Sequence, residues 1–285
     1  KAQGDYATLA QAYPEKAYIP RIAEPLAYVS RPAGRDAVLE VLASADNDSN
    51  RTMLAVDLTH WPAEPKTVAA YRAAYDKLPG NAVVALMGGG NAHAILAQAA
   101  SNFFDPSLTD WILRDAAAAK GEEADAMPPA AYPSAIKLMT SAQSGAVSGA
   151  VNKIAGQAIE KDELKAAQNV LDKCKEDAAC YLSVLDTQIP TAPQAAKFGH
   201  IKAAWMAGVY GKDATRGELV SRLEKIKDGN VRLAILEAID HLTPNGDAAT
   251  ADRLEKIVDA DTAAGTKVAT DEIYRVALKL RSRLP

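Results

Sequence analysis

Apolar residues recur at the spacing of an α-helix along almost the whole chain. In the stretch 232–242, Leu236, Ile239 and Leu242 fall on one stripe, and Ile235 lies beside it. Residues three and four positions apart share one face of a helix, whereas a strand buries alternate positions. The same spacing is found in segments before and after this one. The chain is therefore predicted to be all-α.

The amino-acid composition favours the same fold class. Of the 285 residues, 59 are alanine, and only three are phenylalanine and three are tryptophan. Alanine has the highest helix propensity and is depleted in strands, so this composition argues against an all-β fold. The best strand candidate, Asn81–Met87, contains two adjacent valines but lacks alternation. A short helix is predicted there.

Capping residues and helix breakers separate the predicted helices. Asp228 and Asp247 each precede an apolar stripe as candidate N-cap residues, and Asp271 is predicted to cap the last helix. The segment Gly121–Pro129 is acidic and then rich in proline. It is predicted to be an exposed loop, because proline interrupts the hydrogen bonds of a helix interior.

The last third of the chain repeats a helix pair. One pair occupies Leu219–Lys227 and Val231–Leu242, with a tight corner at Asp228 between them, and another pair follows Asp247. The unit starts at Asp213 and Asp247 are 34 residues apart. A single pair cannot bury its apolar face alone, so repeated pairs are expected to stack and to share a continuous core.

The corner and second helix of this pair resemble the HEAT repeat. In that family a short corner carries an aspartate, and a Val-Arg pair opens the second helix, followed by Ala and Leu in the packing stripe. The matching residues are Asp228, Val231, Arg232, Ala234, Leu236 and Ala238. The resemblance implies an α-solenoid of stacked antiparallel helix pairs that winds into a right-handed superhelix.

The resemblance also implies one continuous helical-repeat domain over residues 1–285. It is clearest over residues 178–285, whereas residues 131–177 form an irregular helical middle rich in Ala, Gly and Ser. Residues 1–130 are predicted to hold degenerate repeats, with helices that include Tyr6–Ala12 and Lys16–Val29.

The two cysteines, Cys174 and Cys180, are predicted to form a disulfide. Six residues of an unbroken helix rise about 9 Å, whereas bonded cysteines need Cα atoms within roughly 7 Å. The helix that carries Cys174 must therefore end before Cys180. The alternative is two free thiols in a cytosolic protein. Zinc is disfavoured, because two thiolates without a nearby histidine do not complete a four-ligand site.

A bonded cysteine pair indicates an oxidising compartment. The Cys-x5-Cys pair just before a repeat also resembles bacterial exported or lipid-anchored HEAT-like proteins. This resemblance implies a periplasmic, outer-membrane-anchored or secreted protein, with a signal peptide or lipid anchor upstream of Lys1. A cytoplasmic location is the alternative.

Charge and hydropathy argue against two classes of partner. The net charge is −4 and the sequence pI is about 5.7, without the basic stripe typical of nucleic-acid binding. The longest uncharged stretch, Leu78–Phe104, contains three consecutive glycines and several polar residues. It is therefore not predicted to span a membrane.

No catalytic constellation is evident in the sequence. The four histidines are scattered without the spacing of a helical zinc motif, and each is predicted to lie at a helix end or on the surface; they are His60, His93, His200 and His241. The turn Gly88–Asn91 lacks the lysine of a phosphate-binding loop and is predicted to lead into a helix capped by Asn91. Ser134–Lys137 spells Ser-x-x-Lys without the companion motifs of that enzyme class. No cofactor, metal ion or catalytic residue is therefore predicted.

Two tryptophans are candidate anchors. Trp205 is predicted to lie in the core of an alanine-rich helix. Trp61 lies at a helix end, where an exposed tryptophan would be a candidate hot spot of a protein interface.

These features lead to two functional hypotheses. The first is a non-enzymatic scaffold or module that binds a protein or peptide on the surface of a HEAT-like solenoid. The alternative is a helical enzyme or enzyme subunit with a site in residues 81–145, where the triglycine turn and the proline-rich segment lie.

Overall fold

The computed structural model describes residues 32–85, 88–153, 161–191, 194–266 and 268–284. Helices make up 73% of the structure and strands are nearly absent from the described residues, which confirms the all-α prediction. Among the described helices, none combines the length and the apolar character that crossing a bilayer requires. The predicted helices Tyr6–Ala12 and Lys16–Val29 lie outside the described residues.

The chain divides into two compact units, the first up to Ala135 and the second over Ile136–Leu284. The described helices of the first unit are α1 (Pro32–Ala43), α2 (Asp48–Leu58), α3 (Pro65–Asp76), α4 (Ala92–Ala99), which a 3-10 helix (Ala100–Phe103) extends, α5 (Leu108–Ala118) and the start of α6 (Glu122–Leu138). The boundary between the units falls within α6.

Aromatic side chains form the centre of the first unit. The ring of Tyr71 meets Phe103 edge-on at 5.2 Å, and the ring of Tyr75 meets Trp111 edge-on at 4.9 Å between centroids. Such edge-to-face pairs place the positive rim of one ring against the negative face of the other. All four side chains are buried, so this unit has a conventional aromatic core.

The segment around Val83 is a strand and not the predicted short helix. Val83–Val84 (β1) pairs antiparallel with Gly90–Asn91 (β2), and these are the only strands among the described residues. Gly88 and Gly89 have φ of +70° and +83°, a region that glycine enters without steric cost. The glycines therefore let the chain fold back on itself after only two paired residues, too few for alternation to be visible in the sequence.

The predicted loop at Gly121–Pro129 is also wrong, because α6 runs through it. The helix contains Pro128, Pro129 and Pro133 within Glu122–Leu138. Three acidic residues in its first turn are favoured by the helix dipole, and the Met127 side chain is fully buried. Packing therefore overrides the local effect of the prolines.

The second unit contains the end of α6 and eight further helices among the described residues. These are α7 (Ser144–Asn152), α8 (Lys161–Cys174), α9 (Ala178–Leu185), α10 (Phe198–Tyr210), which a 3-10 helix (Gln194–Lys197) precedes, α11 (Asp213–Leu223), α12 (Gly229–His241), α13 (Ala248–Ala263) and α14 (Thr270–Ser282).

Two of the predicted caps are confirmed and one is wrong. The side chain of Asp228 accepts from the first-turn amides of α12, and that of Asp247 accepts from the Ala249 amide of α13. Asp271 does not cap α14 but lies in its first turn, because Ala269 precedes the helix in a left-handed conformation with φ of 57°.

Consecutive helices of the second unit pack in pairs: α9 with α10, α11 with α12, and α13 with α14. Equivalent members of the pairs also contact each other. Helices α10, α12 and α14 pack in that order, and so do α9, α11 and α13. The stripe that the sequence predicted is buried in α12, where Ile235, Leu236 and Ile239 are almost fully enclosed.

Candidate functional site

Helix α10 carries its apolar residues on two sides. One side is buried and contains small or flexible residues, among them Ala203, Met206 and Ala207. The other side is partly exposed and still apolar, with Ile201 and Trp205 one turn apart. A helix whose solvent-facing side is also apolar is typical of a surface that another molecule covers.

Trp205 is held in place on three sides. Its indole Nε1 donates to Oε2 of Glu237 at 2.6 Å, and its ring meets Phe198 edge-on at 5.7 Å. The ammonium of Lys137 lies 5.4 Å from the indole centroid and donates to the other oxygen of Glu237 at 3.0 Å. The indole is therefore both partly exposed and fixed in orientation, and the fixed orientation lowers the entropy lost when a partner covers it.

Helices α10 and α12 run parallel beside each other. Two hydrogen bonds set their register. Lys197 binds Asp228, 31 positions later in the chain, and Trp205 binds Glu237, 32 positions later. Ile201 and Leu233 each lie one turn before Trp205 and Glu237 in their own helices, and Leu233 is 39% exposed. We call Phe198, Ile201, Trp205, Leu233, Glu237 and Lys137 the Trp205 surface.

Lys202 is a buried anchor beneath the Trp205 surface. Its ammonium is fully buried and donates to the carbonyl oxygens of Ile136, Lys137 and Met139 at 2.9, 2.7 and 2.8 Å. Carbonyls at a helix C-terminus have no partner within the helix, and a lysine is well suited to satisfy them. Lys202 thereby fixes the end of α6 against α10 and holds the backbone that carries Lys137.

Charge within this region is largely compensated. Burial and the nearby charge of Lys137 lower the pKa of Lys202, while the three carbonyls bind all three ammonium protons. Burial raises the pKa of Asp228, but hydrogen bonds from Lys197 and from backbone amides outweigh burial, and the net pKa is lowered. Glu237 is itself paired with Lys137. The Trp205 surface is therefore suited to an apolar contact with few unpaired charges.

The two tryptophan predictions have different outcomes. Trp205, predicted as core, is only partly buried because α10 presents it opposite to its alanine side. Trp61, the candidate exposed anchor, is only 4% exposed and packs in the first unit. Trp61 therefore has no exposed ring to offer a partner.

Cys174 and Cys180 form a disulfide with Cα atoms 5.3 Å apart, as predicted. Helix α8 ends at Cys174, and α9 begins at Ala178 with Asp177 as its cap. The bond joins a helix end to the following helix across this corner, which is the geometry that the six-residue spacing required.

The region of the alternative hypothesis contains a histidine–carboxylate pair. His93, in the first turn of α4, has Nδ1 2.5 Å from Oε1 of Glu123, and its Nε2 lies 3.1 Å from the carbonyl oxygen of Tyr75. The imidazole also stacks on the Tyr75 ring at 4.0 Å. Both ring nitrogens already face oxygen atoms of the first unit, so the imidazole is engaged within the fold.

The preceding glycine turn is also occupied by structural contacts. Asn91 caps α4 through the Ala94 amide and donates to the carbonyl of Gly80 at 2.8 Å. The cap is the one predicted from the sequence. No cluster of three or more His, Cys, Asp or Glu side chains is placed to hold a metal ion within the part of the chain that the structure describes.

The Ser-x-x-Lys residues and His200 are each bound to other parts of the fold. The hydroxyl of Ser134 donates to the carbonyl of Gln98 at 3.0 Å, while Lys137 binds Glu237. His200 is buried, its Nε2 lies 3.0 Å from the Thr187 hydroxyl, and burial lowers its pKa. All four histidines lie within or next to the first or last turn of a helix, as predicted.

Comparison with protein-family models, curated proteins and solved structures gives no match. The resemblance to HEAT repeats therefore stays a prediction that depends on the residues quoted above.

Sequence reasoning missed Lys202 and the pair of Lys137 with Glu237. One signal was present for Lys202, because it lies three residues after the buried Gly199 and four residues before the buried Met206, the spacing of one helix face. A lysine on a buried stripe needs acceptors, which predicts a buried contact. No equivalent signal exists for Glu237, whose partners come from two distant parts of the sequence.

Proposed function

We propose that this chain is a helical-repeat protein that binds a protein or peptide partner on the Trp205 surface. In this proposal the second unit is a HEAT-like α-solenoid wound as a right-handed superhelix, and the chain acts as a scaffold or binding module and not as an enzyme. The fixed, partly exposed indole of Trp205 on an apolar helix side is the observation that carries the binding proposal.

The repeat part of the proposal is supported by contacts that recur from pair to pair. Arg222 of α11 binds Asp186, which follows α9, at 2.6 Å. Arg253 of α13 binds Glu224, which follows α11, at 2.7 Å. Each arginine thus meets a carboxylate at the C-terminal end of the previous first helix. The arginines lie at different positions of their helices, but a contact between each first helix and the end of the previous one is expected when neighbouring units stack.

The binding part is supported by the chemistry of the Trp205 surface. Tryptophan is enriched among residues that dominate interface energy, particularly where neighbours exclude water. Ile201, Phe198 and Leu233 supply such neighbours. The expected ligand is an apolar segment, because the lysine and glutamate at this surface already neutralise each other.

A peptide-display selection against the whole folded chain tests this function. We expect enriched apolar peptides whose affinity falls about 30-fold or more for Trp205→Ala, since a hot-spot truncation costs about 2 kcal/mol or more. Leu233→Asp should also abolish binding by placing a charge in the contact. The matched control is Arg253→Ala on α13, which should bind normally.

Two results would contradict the proposed function. One is a selection that yields no saturable peptide. The other is a set of peptides that bind Trp205→Ala and Leu233→Asp as well as the parent chain, while thermal melts show that both variants are folded.

We also propose that the protein acts in an oxidising compartment, as a periplasmic, outer-membrane-anchored or secreted protein. The Cys174–Cys180 disulfide supports this location. Acid quenching of native cells, followed by alkylation, should find both cysteines protected. Complete alkylation without a reductant would favour a cytoplasmic protein instead.

A further inference from the structure

The first unit contains a cavity that the proposed function does not use. It is open to solvent, has a volume of about 390 Å³ and lies beside the start of α3. Ligand sites of small molecules range from about 300 to 1,000 Å³, so the space suits a small ligand. Pro65, Val68 and Ala69 give one part of its lining an aliphatic character.

Arg72 is the cation of this cavity. Its guanidinium lies 5.3 Å from the centroid of the Trp111 ring. Trp111 is itself buried and held edge-on by Tyr71 and Tyr75. Among the described residues Arg72 makes no ion pair, and its Nε is buried without a hydrogen-bond partner. A guanidinium held over an indole ring and left without an ion pair is suited to bind a planar carboxylate.

Asp105 lines the same cavity and supplies a negative charge, and it forms no ion pair with Arg72. Phe104, with φ of 54°, turns the chain in a left-handed conformation just before it. Oδ1 of Asp105 accepts from the amide of Ser107 at 2.9 Å, and Asp105 makes no ion pair with the described residues. The other carboxylate, Glu64, is bound by Arg35. The cavity therefore offers one cation and one anion that are not paired with each other.

We propose that this cavity binds a small zwitterion, a free aliphatic amino acid or a dipeptide. Arg72 binds the α-carboxylate through two parallel N–H bonds, and Asp105 receives the α-ammonium. The aliphatic lining of Val68 and Ala69 holds the side chain. A phosphate or a dicarboxylate fits less well, because Asp105 would repel a second negative charge.

Calorimetric titration of the folded chain tests the proposal, with L-valine and L-alanyl-L-alanine as the two zwitterionic probes. At least one should bind saturably at a single site, and comparison of the two distinguishes the free amino acid from the peptide. N-acetyl-L-valine lacks the ammonium and L-valinamide lacks the carboxylate. Each should bind at least tenfold more weakly than the better zwitterion.

Variants separate this site from general surface binding. Arg72→Gln and Asp105→Asn should each weaken binding at least tenfold, whereas Arg114→Gln, an exposed arginine on α5, should leave it unchanged. Arg72→Lys keeps the charge and loses the planar fork, so it too should bind weakly. If Arg72→Gln does not fold, Arg72→Lys and Asp105→Asn together provide the test.

The proposal is overturned if neither zwitterion binds saturably, if the acetylated or amidated analogue binds as tightly, or if inorganic phosphate binds more tightly than both probes. It is also overturned if folded Arg72→Lys and Asp105→Asn bind like the parent chain. None of these results concerns the Trp205 surface, so the two proposals stand or fall separately.

Discussion

Arg232 and Asp261 form a buried ion pair that joins α12 to α13, with Nη2 and Oδ2 2.5 Å apart. The arginine side chain is fully buried and the aspartate side chain is 5% exposed. Arg232 also donates to the carbonyl of Val268 at 3.0 Å. This pair connects one helix pair of the second unit with the next, and it begins at the Val-Arg position that the sequence singled out.

Arg232→Met should destabilise the chain strongly. The substitution leaves the carboxylate of Asp261 buried without its main partner, and breaking a buried pair from one side costs about 3–5 kcal/mol. Urea denaturation, followed by circular dichroism, measures the change in the free energy of unfolding.

Two further variants show whether burial is the cause of that loss. The double variant Arg232→Met/Asp261→Leu should regain most of the stability, because it removes both charges together. Arg253→Met breaks a half-exposed pair with Glu224 and should cost only about 0.2–1 kcal/mol. A loss in Arg232→Met no larger than that in Arg253→Met would contradict this account.

Stability should fall in acid, in part through Asp240. Burial raises the pKa of Asp240, but the charges and hydrogen bonds of Lys279 and Arg283 outweigh burial and lower the pKa below its ordinary value of 3.8. A carboxyl with a lowered folded-state pKa stabilises the fold above its unfolded-state pKa. That stabilisation is lost as the pH falls through the folded-state value.

Urea unfolding of the parent chain and of Asp240→Asn between pH 7 and pH 2 measures this contribution. The free energy of unfolding should decrease below about pH 4 in the parent chain. The slope should be smaller for Asp240→Asn, which has no carboxyl to protonate. Identical slopes for the two chains would show that Asp240 does not contribute to acid unfolding.

Much of the fold was predictable from local signals. The helical spacing gave the fold class, and short polar side chains before apolar stripes identified the caps at Asp228 and Asp247. The disulfide followed from the spacing of Cys174 and Cys180. Each of these features depends on residues that are close in the sequence, so the local sequence alone is enough to predict it.

The failures concern residues whose state is decided at long range. α6 continues through prolines because the buried Met127 and the Glu123–His93 contact hold it, and neither contact is visible locally. The exposure of Trp205 depends on which side of α10 its neighbours cover. The sequence of a helix shows which residues share a face. It does not show which of the faces is covered by neighbouring helices.

The disulfide should add about 2 kcal/mol of stability, because the bond closes a short loop in the unfolded chain. Thiol titration of the unfolded, unreduced chain should detect no free thiol, and titration after reduction should detect two. Guanidinium denaturation with and without reductant measures the energy. Cys174→Ser/Cys180→Ser should match the reduced chain, and two reactive thiols before reduction would refute the pairing.

Lys202→Met should destabilise the chain although it replaces a buried charge with an apolar side chain of similar length. The ammonium binds three carbonyls at the end of α6, and a buried acceptor left without a donor costs about 1–3 kcal/mol. Lys256→Met, at an exposed position on α13, is the matched control and should change stability by less than about 0.5 kcal/mol. Urea denaturation of the three chains compares them directly. If Lys202→Met is as stable as the control, the lysine is not needed to hold the end of α6, and the position of Lys137 over the Trp205 ring does not depend on Lys202.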